Sequence, residues 1–540
     1  MTLKEFINET IRKQFSIQTL LFCTLLISST SFAETGQLTG DFTLSHKLFN
    51  DGNSILYTAG DPSILQQSLY QKEIRGGTDV KLSNVLGSSG RVDTFKISQN
   101  EDLVVFSGAT SCCFSDNALY SVPIGGGTAA TLVSPTLPIR LVAFEITPDN
   151  DHVLYLLEDV NDFSRQLYKV PAGGGVSTPL GVPSVDIRLD YITPDSLYMV
   201  FAGNVLGNDI YSGNLFRMSL SDGSVVQLNE DFVSGGFVDF PVFSADGQTV
   251  IYDAVTTEPE LRVDIFSVQI SGDDSVKLNP TLVAEGNVSR KFIGPLEQFV
   301  YYVADQFVNE QHRLFRVPLE GGDSTELISN FIGGESISQN RIPVVNVDGT
   351  YAVFNIDATD STVPLYSVNL LTGVAQKLNI GVGGFDFSLS GDGEHVVFMD
   401  FIETVGVSEL YSIPIQGGAV VKLNPDYTSL VNVNSIIDFE ISPDSQRVVY
   451  KVDIDGDFKN EILEVSIEGG ESKRLSPLLP VGSSAGGPMY NDDGTIVLFQ
   501  IFEFEGVFEG LYAYDFQENV ESEICFPVIA KSGNVAVICL

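Results

Sequence analysis

Apolar and polar positions follow one phrase that returns along this chain. ISPDSQRVVY, from Ile441 to Tyr450, has near-copies in ITPDNDHVLY from Ile146, FSADGQTVIY from Phe243 and LSGDGEHVVF from Leu389. Each copy begins with the end of an apolar strand. It then turns at Ser/Thr-x-Asp, where Pro presets φ and Asp with Gly closes a tight hairpin. The apolar residues that follow are consecutive rather than alternating, which predicts a strand covered on both faces.

A second phrase follows each first one after a polar stretch. Examples are LYSVPIGGG from Leu119, LYKVPAGGG from Leu167, LFRVPLEGG from Leu314 and LYSIPIQGG from Leu410. Its leading residues are Leu69, Leu119, Leu167, Leu215, Ile265, Leu314, Leu365, Leu410, Ile462 and Leu511. The spacing is about 49 residues, long for a solenoid and right for propeller blades when every segment has strand chemistry. Each repeat then supplies four strands: one before the Ser/Thr-x-Asp turn, one after it, the Leu-Tyr strand, and a fourth ending in Lys-Leu-Asn. That last motif recurs at Lys277-Leu278-Asn279, Lys377-Leu378-Asn379 and Lys422-Leu423-Asn424, and its lysine suits an exposed outer edge.

The predicted fold is all-β, a β-propeller of about ten four-stranded repeats across residues 34–540. Ten blades exceed the four to eight common in one ring, so one large ring or two consecutive rings are both expected solutions. The sixth repeat, FIGPLEQFVYYVAD from Phe292, lacks the Ser-Pro-Asp turn and places an expected ring break near 280–291. Residues 526–540, FPVIAKSGNVAVICL, read as half a repeat.

The turn and the Leu-Tyr-x-Val strand resemble the TolB-like family of propeller repeats, over residues 42–524. The resemblance implies the propeller fold. It departs from TolB itself, whose propeller follows a separate α/β domain, because only residues 34–41 precede the first strand here. TolB's own partners are therefore not carried over.

Composition changes the picture in three places. Fifty Gly, 36 Phe and 19 Tyr with no Trp fit strands and turns. The first 33 residues read as a bacterial-type export signal: Lys4, Arg12 and Lys13, then the apolar run IQTLLFCTLLIS, then small residues up to an expected cleavage after Ala33. The run is too short to span a bilayer, and Cys23 within it lacks the small residues that precede a lipid-anchor cysteine. The expectation is a soluble periplasmic or secreted protein with no membrane span after cleavage. Export makes the remaining cysteines, Cys112, Cys113, Cys525 and Cys539, disulfide candidates. Cys525 and Cys539 are the expected neighbours, because the fourth strand of repeat ten and the tail hairpin end on the same side.

The net charge of −41 becomes −42 once a leader of three positive and two negative charges is removed. Such a surface repels nucleic acid and anionic lipid, and favours cations, basic partners or solubility in salt.

Candidate chemistry concentrates in the segments between second and third strands. They carry Glu158, Asp159 and Asp162; Asp253, Glu258, Glu260 and Asp264; Asp400, Glu403 and Glu409; and Glu503, Glu505 and Glu509. The densest, DIDGDFKNE, holds Asp453, Asp455, Asp457 and Glu461 around a glycine, a set of hard oxygen ligands suited to calcium but without EF-hand spacing. Catalytic motifs are thin. GSSAG from Gly482 matches G-x-S-x-G, but it lies between two blades rather than on a strand–turn–helix elbow. The glycine runs at 125 and 173 open no helix. His46, His152, His312 and His395 fall in different repeats, which argues against a histidine metal centre. The functional expectation is an exported, non-catalytic scaffold that binds a protein, peptide or glycan through its loop face. The alternative is a polysaccharide lyase or glycosidase using channel carboxylates.

Overall fold

Every repeat folds into an antiparallel sheet whose strands pair in chain order, first with second, second with third, third with fourth. The computed structural model describes residues 46–538 apart from intervening stretches that include 111–116, 182–188, 204–212, 426–435, 455–458, 504–507 and 530–534. The expected signal segment, Cys112, Cys113, Cys525 and Cys539 lie outside the described residues. Ten blades result, and among the described residues the helical content is one 3₁₀ turn, Asn84–Leu86. Blade 4 retains its first strand as a bridge from Ile192 to Met199. Blade 7 splits its first strand into Ser336–Ile337 and Val344–Val345, which pair with the same second strand, Tyr351–Asp357.

The second strands are the buried centre of each sheet, as their unbroken apolar runs require. Val448, Val449 and Tyr450 are wholly buried, as are Val396, Val397 and Phe398. Across the register, the aromatic of the second strand stacks on that of the third: Tyr57 on Tyr70, Tyr155 on Tyr168, Tyr302 on Phe315, Phe398 on Tyr411. Where the second-strand ring is tyrosine its hydroxyl finds a partner just before the fourth strand. Tyr252 bonds Ser275 at 2.8 Å, Tyr302 bonds Ser324 at 2.7 Å and Tyr450 bonds Ser472 at 2.7 Å. A buried phenol needs such a partner, and the repeat supplies a serine in these blades and Asp79 for Tyr57 in blade 1.

The Ser/Thr-x-Asp turn works as expected. Ser244 Oγ donates to Asp246 at 2.6 Å and accepts from Thr249 N at 3.0 Å; Ser442 repeats the pattern with Asp444 and Arg447. Blade 6, which lacks the motif, closes the same turn by backbone bonds alone, Gly294 N to Phe299 O and Glu297 N to Gly294 O. The last turn residue has a left-handed φ in blade after blade, even where it is not glycine: Asn150, Ser196, Glu297 and Ser445. Each of those four uses its side chain to accept an N–H from the preceding blade's turn, from Asn100, Asp149, Ala245 and Asp392 respectively. The inter-blade bond offsets the cost of a Cβ in that conformation.

Ring closure is a side-chain matter. One apolar cluster joins each pair of neighbouring blades, as when Ile251, Ile265 and Leu278 of blade 5 meet Leu282, Val288, Val300 and Tyr302 of blade 6. The expected break at 280–291 is therefore occupied by continuous core. The series closes where Ile55, Tyr57, Ala59 and Ile74 of blade 1 pack on Ile496, Leu498 and Ala513 of blade 10. Ten blades form one ring. Both blades at the seam are built from their own consecutive strands, and among the described residues no strand is exchanged across it. First strands of neighbouring blades approach one another, as in blades 2 and 3 or 9 and 10, which places them innermost. Strands Phe526–Ile529 and Val535–Ile538 form a separate hairpin after blade 10.

Candidate functional site

Strand direction assigns the faces. Second strands run towards the side that carries the 2–3 loops and the blade links, and third strands run back to the side of the short 1–2 and 3–4 turns. The acidic segments thus share the loop face; Asp159 and Asp162 hold only local bonds from Asn161 and Ser164, whereas several other carboxylates are tied to cations or to more distant backbone.

Glu158, next to last in the second strand of blade 3, is buried between two guanidinium groups: Arg140 at 2.5 Å and Arg165 at 2.8 Å. Burial works to raise its pKa, but the hydrogen bonds from Arg165 and Arg140 outweigh it and hold the carboxyl below its ordinary range. Asp253 pairs with Lys291 of the next blade at 2.6 Å. Asp400, wholly buried, accepts the N–H groups of Ile380 at 2.9 Å and Gly383 at 3.2 Å, which ties the blade 7–8 link to blade 8. Asp305 does the same for Asn287 N and Glu310 N in blade 6.

A second rule governs the acid at the start of the third strand. Asp264 pairs with Lys277 at 3.0 Å, Glu409 with Lys422 at 2.5 Å and Glu461 with Arg474 at 3.0 Å, each thirteen residues on. The Lys of Lys-Leu-Asn, expected simply as a solvated edge residue, is in blades 5 and 8 the partner of a carboxylate. Acid and base at that offset were visible in the sequence, but only the third–fourth strand register makes them neighbours.

This bears on the calcium candidate. Asp453 is wholly buried, and Glu461, also buried, spends Oε1 on Arg474 and Oε2 on the N–H of Ile454 at 3.1 Å. Glu461 is therefore committed within the protein. Asp455 and Asp457 lie outside the described residues. Among the described residues no group of three His, Cys, Asp or Glu could hold a metal ion.

Inner strands carry further acids. Lys96 pairs with Glu145 across blades 2 and 3, and Arg341 with Asp386 across blades 7 and 8 at 2.9 Å. Asp438 and Glu440 share one face of the first strand of blade 9. Burial, with Asp438 nearby, raises the pKa of Glu440 even though it accepts Tyr490 N at 2.9 Å.

The remaining motifs find structural places. Gly482 lies outside the described residues, and the rest of GSSAG forms not a link but the start of the blade 10 inner strand, Ser483–Tyr490. Ser484 Oγ there accepts Asn460 N at 3.1 Å and Asn460 Nδ2 at 3.0 Å. His312 is buried at the loop side beside Ser336 and Gln339, whereas His152 and His395 begin second strands on the turn side. Sequence reasoning missed the asparagine of Lys-Leu-Asn: Asn279, Asn379 and Asn424 each accept the N–H of the leading Ile or Leu fourteen residues earlier.

No family model matches the chain, and no curated protein sequence matches it. Solved structures do. Dipeptidyl peptidase 4 of Porphyromonas gingivalis is 10% identical over 85% of this chain and 66% of that one, with a TM-score of 0.45. Oligogalacturonate lyase of Vibrio parahaemolyticus is 14% identical over 73% of this chain and 87% of that one, TM-score 0.35. A TolB protein from Agrobacterium tumefaciens is 14% identical over 44% and 79%, TM-score 0.27. The chain spans 55% of the length of a prolyl endopeptidase that it also resembles at 12% identity, TM-score 0.35. At such identities, and with each of these TM-scores below 0.5, the likenesses carry no statement about what this chain does.

Proposed function

We propose that this chain is an exported, non-catalytic propeller with TolB-like repeats that binds a protein, peptide or glycan partner through its loop face. The observation that carries this reading is the commitment of six of the described loop-face carboxylates. Glu158, Asp253, Asp264, Asp400, Glu409 and Glu461 each spend their oxygens on a cation or on backbone N–H groups. Carboxylates used in this way rigidify loops, and rigid loops on a scaffold are what a binding surface requires. Among the described residues no helix is long and apolar enough to cross a membrane, which is compatible with release after export.

The test is capture from the exported fraction with the immobilised protein, with and without a calcium chelator, beside an assay of purified protein on polysaccharides. A partner retained with the wild-type chain supports the reading, and loss of that partner on chelation shows that a divalent cation takes part in holding it. Depolymerisation of a glycan that disappears in Glu440→Gln replaces the reading with the enzymatic one.

A further inference from the structure

On the opposite, turn face a cleft of about 250 Å³ opens between blades 3 and 4, lined by His152, Lys169, Leu197, Tyr198, Ser219 and Ser221 among others. The repeat provides its own comparison. His395 holds in blade 8 the position of His152 in blade 3, the first residue of the second strand. Glu468 holds in blade 9 the position of Ser221 in blade 4, two residues beyond the third strand. At blades 8 and 9 these side chains meet: His395 Nε2 lies 3.2 Å from Glu468 Oε1.

At blades 3 and 4 the same place ends in a serine too short to reach. Ser221 Oγ instead pairs with Ser219 Oγ at 2.8 Å. The imidazole of His152 has no hydrogen-bond partner among the described residues, and Lys169 spends one N–H on the carbonyl of Leu220. Blade 8 has Ser412 where blade 3 has Lys169, so this cleft holds an ammonium that the His395 site lacks. Asp149 also borders it, but its Oδ1 is taken by Thr147 Oγ1 and Asp151 N, the bonds that Asp392 makes beside His395. In a chain of net charge −41 the cleft therefore brings an imidazole and an ammonium together beside a carboxylate whose Oδ1 is already engaged.

We propose that this cleft binds the carboxylate of a small ligand, which takes the place that the Glu468 carboxylate holds beside His395. His152 and Lys169 bind the oxygens, Ser221 adds a hydroxyl, and exposed Leu197 with the Tyr198 ring covers the adjoining carbon atoms. The volume admits a compact organic acid or the end of a peptide chain, and both present the same group. The inference does not depend on the loop-face reading, because the two faces are separate.

The test follows the His152 side-chain nitrogens by NMR during titration with succinate, with N-acetyl-alanyl-alanine and with the C-terminal amide of that peptide, all at matched ionic strength. A saturable His152 shift with succinate identifies a free acid, and one with the peptide acid identifies a chain end; either supports the proposal. The amide should bind at least tenfold more weakly. Ser221→Glu, which installs the carboxylate found in blade 9, should weaken probe binding at least tenfold at unchanged melting temperature. Lys169→Gln gives the same readout should the first variant fail to fold. An equal shift with NaCl, or unaltered probe binding in the variant that folds, overturns it.

Discussion

Asn424 Oδ1 accepts the N–H of Leu410 at 2.8 Å, and Asn424 Nδ2 donates to Pro425 O at 3.0 Å. One side chain thus holds the start of the third strand and the exit of the fourth. Serine takes the role in blades 1 and 9, where Ser83 and Ser476 serve Leu69 and Ile462. Any small acceptor suffices, so the position varies in letter but not in function. Asn424→Ala leaves the buried N–H of Leu410 unpaired and should cost about 1–3 kcal/mol in urea unfolding. Asn424→Ser, the residue that serves in blades 1 and 9, keeps an acceptor and should cost less. Equal losses in the two variants would show that the acceptor is not what matters. The Lys-Leu-Asn motif was legible in the sequence; the role of its Asn was not, because a bond across fourteen residues exists only once the hairpin register is set.

At the scale of the element, the 1–2 turn shows how a local signal and a distant one share a residue. Gly247 has φ +69°, and a Cβ there would lie 2.6 Å from Pro194 Cδ of the preceding blade's turn. Gly125, in a 3–4 turn with φ +85°, has nothing within 4 Å of such a Cβ. Both substitutions by alanine carry the left-handed penalty of about 1–2 kcal/mol, and Gly247→Ala adds the clash. Its melting temperature should therefore fall further than that of Gly125→Ala. The Ser-x-Asp-Gly hairpin itself was readable from the sequence, since Pro, Asp and Gly act through local φ and side-chain bonds. That Ser196, Asn150 and Ser445 stand in the glycine position because they reach a neighbouring blade was not readable, as nothing local distinguishes them.

For the whole molecule the seam is the informative place. Every other junction joins blades that a link keeps adjacent, whereas blades 1 and 10 meet, among the described residues, through an apolar cluster that includes Leu498, Ile55 and Tyr57. A buried charge there costs several kcal/mol, more than a side-chain interface can absorb. Leu498→Asp should open the ring while leaving blade sheets intact, seen as a larger radius of gyration in solution scattering with little change in far-ultraviolet circular dichroism. Val397→Asp, at a junction spanned by the chain, should lower stability without that expansion. The same radius in both variants would show that the seam is held by more than its apolar contacts.

Strand identity, blade number and turn placement were set by the sequence alone, because each depends on residues within one or two strands: apolar runs, Pro-Asp-Gly chemistry and a spacing of about 49. Ring closure depended on contacts between Ile55 and Leu498, more than four hundred residues apart, which no periodicity encodes. The sites behaved likewise. Carboxylates that looked free as letters, Asp264, Glu409 and Glu461, acquired cationic partners through strand pairing. His152 and His395, identical in phrase position, were separated by what the next blade brings to them, a serine in one case and a glutamate in the other. A residue's local conformation is written in its neighbours along the chain, but its charge partner is chosen by packing.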